Sequence, residues 1–202
     1  MTLTASQVRA LGVASAIIIL VGTIFWCMTT RRIADDPAAA STQISTSTPE
    51  FIPTGWTKYD KQGFTAYFKN SLGVPQTDMY QENGAANEDF SAIPSRSGKG
   101  MLVTQSTLKP EVFTAMKRNR DACFAAAAEK MIDGGKIISA IDIDVDGDIG
   151  REYQVQIASG NDAIIRMVLA HGRLYIYGVI ERGINRESEN YCYFFDSVKL
   201  KP

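Results

Sequence analysis

The chain has 202 residues, 45% of them hydrophobic and 21% charged, with a formal net charge of −1. That balance excludes intrinsic disorder, which needs low hydrophobicity and high net charge. It also excludes the basic footprint of a nucleic-acid binder, so no nucleic-acid partner is expected. Three cysteines are too few for a disulfide-built scaffold, and one histidine is too few for a multi-histidine metal site.

After a short tail, residues 1–9, the stretch 10–30 carries no charge and centres on Ile17, Ile18, Ile19 and Leu20. About 20 residues at ~1.5 Å each cover the hydrocarbon core of a bilayer. Trp26 stands at its far end, where aromatic rings favour the interface, and Arg9 and Arg31-Arg32 bracket it. The apolar run is longer than a signal-peptide core, and Arg-Arg follows where a small-residue cleavage site would stand. The expectation is one uncleaved transmembrane helix, making the membrane an integral partner.

Residues 31–54 are rich in Ser, Thr, Pro and Ala and have no apolar period, so they read as an extended tether. Residues 55–202 form the globular part, long enough to fold without a metal or a disulfide. The tether suits a stalk outside the cytoplasm. The flanking arginines, counted alone, slightly favour the opposite orientation. The expectation is an extracytoplasmic domain. There Cys123 and Cys192 either form a disulfide or stay reduced as small buried hydrophobes.

Strands are expected at 64–68, 89–93 and 101–105, with a long loop over 73–87. Pro110 starts a helix, whose Phe113, Met116, Cys123, Phe124, Ala127 and Met131 recur at helical steps until Gly134-Gly135 ends it. Ile137-Ile138 leads to a period-two strand over 141–146, with Ile141, Ile143 and Val145 inward. Residues 152–157 follow. Then 163–170 and 173–180 form a hairpin closed by His171-Gly172. Residues 186–196 read as a short helix, and 197–200 close the chain. The class is therefore α+β, with an antiparallel sheet.

Several of these segments together carry a resemblance: Trp56 with residues 63–68, Gly134–Ser139, Asp146-Gly147, Gly150–Tyr153, Gly172–Tyr175 and Phe194–Leu200. The pattern resembles bacterial membrane-anchored domains of the PsbP-like group. The resemblance implies an antiparallel sheet between helical layers and a role in binding partners. It implies no reaction and no cofactor.

Candidate chemistry is sparse, and no catalytic residue is assigned. Asp142, Asp144, Asp146 and Gly147 match the opening of an EF-hand loop, with Asp148 beside them. The match then fails, because Tyr153 stands where the bidentate glutamate belongs. A half-buried strand is the stronger reading of the segment, and a loose Ca²⁺ site the weaker one. His171 reads as a turn residue, since histidine is enriched at φ > 0. Ser97-Gly98-Lys99-Gly100 lacks the first glycine and the final Ser/Thr of a phosphate loop. Lys117, Arg118 and Arg120 read as a solvated face. The function expected is a non-catalytic, membrane-anchored binding or accessory module. The alternatives are a subunit of a membrane complex, or an enzyme using the acidic segment 142–148.

Overall fold

The computed structural model describes residues 52–82, 85–94, 98–132, 134–158 and 160–202. The expected tail, span and most of the tether lie outside them. No helix among the described residues is long and apolar enough to cross a membrane.

Among the described residues ten strands form two antiparallel sheets. The small sheet holds β1 (Trp56–Asp60), β2 (Phe64–Lys69) and β10 (Lys199–Leu200), with β2 central. The large sheet holds β3 (Gln76–Glu82), β4 (Ala85–Ala92), β5 (Gly100–Thr107), β6 (Lys136–Val145), β7 (Asp148–Gln156), β8 (Asp162–Ala170) and β9 (Arg173–Ile180). Its order is β3-β4-β5-β9-β8-β7-β6. Among the described residues three α-helices complete the fold: α1 (Pro110–Arg118), α2 (Arg120–Met131) and α3 (Glu189–Ser197).

Alternate residues of β8 and β9 feed two cores, as the two-residue period of a strand requires. Ile164, Val168, Tyr175, Tyr177 and Val179 meet the small sheet and α3 through Phe64, Phe68, Phe194 and Phe195. Ile165, Met167, Leu169, Leu174 and Ile176 meet α1 and α2 through Met116, Phe124, Ala127 and Ala128. The architecture is three layers, with the large sheet in the middle. The α+β class and the antiparallel sheet are as expected.

The structure differs from the sequence reading at several points. The loop expected over 73–87 holds β3 and the start of β4. β3 is an edge strand, so its side chains need no apolar period. The single long helix is two, broken at Asn119 (φ −116°, ψ 30°), whose amide donates to the Ala115 carbonyl. The two short strands after Gly135 are one, β6, with a register shift between Ile137 and Ser139. Ile143 and Val145 are half-buried, but Ile141 is exposed, because β6 is the other edge of the sheet. The last helix starts at Glu189. Residues before it form a turn in which Glu187 N–H donates to Asn185 Oδ1 and Asn185 N–H to Ser188 Oγ.

Cys123 and Cys192 are not joined. Cys123 lies in the core under α2, whereas Cys192 is on α3, and the large sheet separates the two helices. A disulfide needs Cα atoms within ~7 Å.

Candidate functional site

The strand pattern puts Glu152 (β7), Arg166 (β8) and Tyr177 (β9) side by side across the ladder. All three face α3. Glu152 has 0% exposure. An isolated carboxylate there would be costly, and three donors compensate it. Arg166 Nε donates to Oε2 at 2.9 Å, Tyr191 Oη to Oε2 at 2.8 Å, and Arg186 Nε to Oε1 at 2.6 Å. Arg166 also donates to Tyr191 Oη and lies 4.5 Å from the Phe195 ring centre.

Electrostatics follow from this packing. Burial pushes the Glu152 carboxyl up, but the hydrogen bonds from Arg186, Arg166 and Tyr191 outweigh it and hold it below the ordinary value. Burial drives the Tyr177 phenol up to about 12. It also raises Tyr191, and the Glu152 carboxylate adds to that. The cluster is a closed ion pair at neutral pH.

Arg186 belongs to the connection between β9 and α3, so Glu152 fastens that connection to the sheet. Asp162 fastens its start, accepting Gly183 N–H at 2.7 Å. The connection then forms one wall of a cleft of about 250 Å³ lined by Lys69, Glu181, Arg182, Ser188, Glu189 and Asn190, among others. Lys69 Nζ donates to Asn190 Oδ1 at 2.8 Å, Asn190 Nδ2 to Glu181 Oε2 at 2.5 Å, and Lys99 pairs with Glu181 Oε1 at 2.5 Å. Glu181 is desolvated, yet the Lys99 and Asn190 bonds hold its carboxyl below the usual value. The cleft is polar and charged, with both signs present.

The residues singled out by sequence lie elsewhere. Asp142 is within 3.7 Å of Arg120 and 3.8 Å of Arg151. Asp144 Oδ1 accepts Gly147 N–H at 2.9 Å. Asp146 (φ 54°) and Gly147 (φ 90°) are the two turn residues between β6 and β7. Among the described residues no group of three or more His, Cys, Asp or Glu side chains is arranged to hold a metal ion. His171 (φ 51°) and Gly172 (φ 75°) form the β8–β9 turn at an exposed tip. Arg120 of the basic cluster pairs with its neighbour Asp121. Lys99 of the failed phosphate-loop match reaches the cleft only through its ion pair with Glu181.

The sequence reading missed Glu152, Arg166, Arg186 and Tyr191. A signal was available: Arg166 interrupts Ala163-Ile-Ile and Met-Val-Leu-Ala170. A charge inside an apolar strand demands a buried counter-charge.

The chain matches no protein-family model and no curated protein. Among solved structures it is similar to the cyanobacterial PsbP protein, CyanoP, of Synechocystis sp. PCC 6803. The TM-score is 0.49 at 13% identity, covering 78% of this chain and 99% of that one. It is also similar to PA94, a Pseudomonas aeruginosa protein of unknown function. There the TM-score is 0.34 at 14% identity, covering 63% of this chain and 83% of that one. Neither likeness is close enough to carry a functional argument.

Proposed function

We propose that the chain is a membrane-tethered, non-catalytic recognition module. In this reading residues 10–30 are a single-pass anchor, residues 31–54 a tether, and the domain stands outside the cytoplasm. At ~5–6 Å × √n, a flexible tether of this length lets the domain range about 25 Å from the membrane.

One observation carries the recognition part. The buried charges are spent on building a wall rather than left reactive. Glu152 is inaccessible and both of its carboxylate oxygens accept hydrogen bonds within the protein, so it is not placed to take a proton from a substrate. What its cluster holds in place is the wall of an open polar cleft. The occupant that fits is a protein segment carrying charges of both signs, set against Lys69, Arg182, Glu181 and Glu189. The resemblance of the sequence to PsbP-like accessory domains supports the same reading.

The test has three arms. Removing residues 10–30 should release the protein from carbonate-washed membranes. Protease added to intact cells should digest the domain, and full protection would refute the outside location. The full chain, purified in mild detergent, should retain a stoichiometric partner that a Lys69→Glu, Arg182→Glu variant loses. Equal retention by that variant would refute the cleft as the recognition surface.

A further inference from the structure

The edge strand β6 is unlike the rest of the surface. It runs ten residues, and among the described residues it pairs only with β7. Its outer side therefore offers a row of N–H and C=O groups with no strand partner, a ready template for another strand. Apolar side chains crowd this end of the sheet. Ile138 is 51% exposed, Ile141 42%, and Ile149 on neighbouring β7 56%. Charge is segregated along the strand. Lys136 opens it, while Asp142, Asp144 and Asp146 stand at its far end.

That polarity is self-complementary only when two copies run antiparallel, which brings the lysine end of one to the aspartate end of the other. We propose that β6 pairs with β6 of a second copy, antiparallel about Ile141, joining two large sheets into one. The twofold symmetry suits the commonest kind of homo-oligomer, in which one patch meets itself.

The register follows from the same residues. On the regular stretch from Ser139 to Val145, each residue of a continuous sheet must meet one that points to the same face, so the twofold axis runs through a residue that faces its own copy. An axis at Asp142 or Asp144 sets an aspartate against itself. An axis at Ile143 sets Asp142 against Asp144. Like charges directly opposite destabilise a pair. Axes at Ala140 and Ile141 avoid this and centre the pairing on the regular stretch, the register shift at Ile138 moving the pairing of Lys136 and Ile137 by one residue. Only the second places the exposed Ile141 against its copy. It leaves Asp142 opposite Ala140 and free to keep its contacts with Arg120 and Arg151. It also carries Lys136 to the Asp144–Asp146 end of the other copy.

Cross-linking of the full chain in mild detergent tests this, in a Cys27→Ser, Cys192→Ser background. Ile141→Cys should form a disulfide dimer under mild oxidant ~10-fold or more faster than Met79→Cys, because preassembly replaces dilute collision with a high effective concentration. Met79 is the control because it is 80% exposed on β3, the opposite edge of the same sheet. Adding Lys136→Glu should cut the Ile141→Cys rate severalfold without changing the circular dichroism of the fold. Equal rates at the two edges would overturn the proposal. So would a rate indifferent to Lys136→Glu, or a preferred cross-link between Ile141→Cys and Met79→Cys in a mixture, which would mean head-to-tail growth.

Discussion

Glu152 and Arg166 stand directly opposite each other on β7 and β8, and their 2.9 Å ion pair lies inside the sheet-to-α3 interface rather than on its rim. A pair in that position contributes little net stability when intact, since desolvation offsets the attraction. Its consequence is positional. With Arg186 and Tyr191 on the same carboxylate, one side chain ties β7, β8, the β9–α3 connection and α3 together.

Removing the charge on one side should therefore cost far more than the pair is worth. Glu152→Gln keeps the volume but leaves Arg166 buried without its counter-ion. The expected loss is about 3–5 kcal/mol in chemical denaturation. Arg186→Met, at a partly exposed position, should cost about 1 kcal/mol or less. If the two variants lose equal stability, Arg166 does not depend on Glu152.

The pH dependence separates two carboxylates of opposite sign. Glu152 has its folded value lowered, so its contribution is fully present above the unfolded value of about 4.3 and is lost as pH falls through the folded one. The stability gap between the natural protein and Glu152→Gln should thus be flat at neutral pH and narrow below about pH 4. Asp89 runs the other way. Burial raises it, and hydrogen bonds from Thr104 and Tyr80 only partly offset that. Its contribution is present below the unfolded value and lost as pH rises through the folded one. Asp89→Asn should raise the free energy of unfolding at neutral pH, by about 1 kcal/mol, and lose that advantage in acid. A destabilised Asp89→Asn protein at pH 7 would contradict it.

Legibility in the sequence followed local signals. The β8–β9 hairpin was readable because His171-Gly172 sits between two apolar runs. The α+β class and the antiparallel pairing were readable from the order of helical and strand periods, whereas the second, smaller sheet was not. β3 was not, because its residues from Gln76 to Gln81 are exposed on both faces, Tyr80 apart, and so carry no apolar period. The break at Asn119 was hidden by good helix formers on both sides. The site was hidden for a different reason: Glu152, Arg166, Arg186 and Tyr191 come from four segments, and only register brings them together. The exposure of Ile141 was equally invisible, since nothing local marks which strand ends up last in a sheet.

The turn at His171 gives a prediction of its own. Its φ of 51° lies in the left-handed region, where a β-branched residue is strained. His171→Asn should be neutral within a few tenths of a kcal/mol, whereas His171→Val should cost about 1–2 kcal/mol. Thermal unfolding of the two variants checks this. Equal midpoints would mean that the turn relaxes out of the left-handed conformation.

The acidic segment supplies the last prediction. Asp146-Gly147 closes a two-residue hairpin between Val145 and Asp148, with positive φ at both positions. Asp-Gly is a favoured pair for that geometry, so the glycine that resembled an EF-hand position is accounted for by the turn. The neighbouring carboxylates are engaged as well, Asp144 with the Gly147 N–H and Asp142 near two arginines. Ca²⁺ would have to break these contacts to gather ligands. Adding Ca²⁺ to low millimolar should therefore leave the melting temperature unchanged. A ligand at ~100 times its dissociation constant would add about 2.7 kcal/mol, several degrees for a domain of this size. A rise of that order that disappears in Asp144→Asn would show that the hairpin opens to bind the ion.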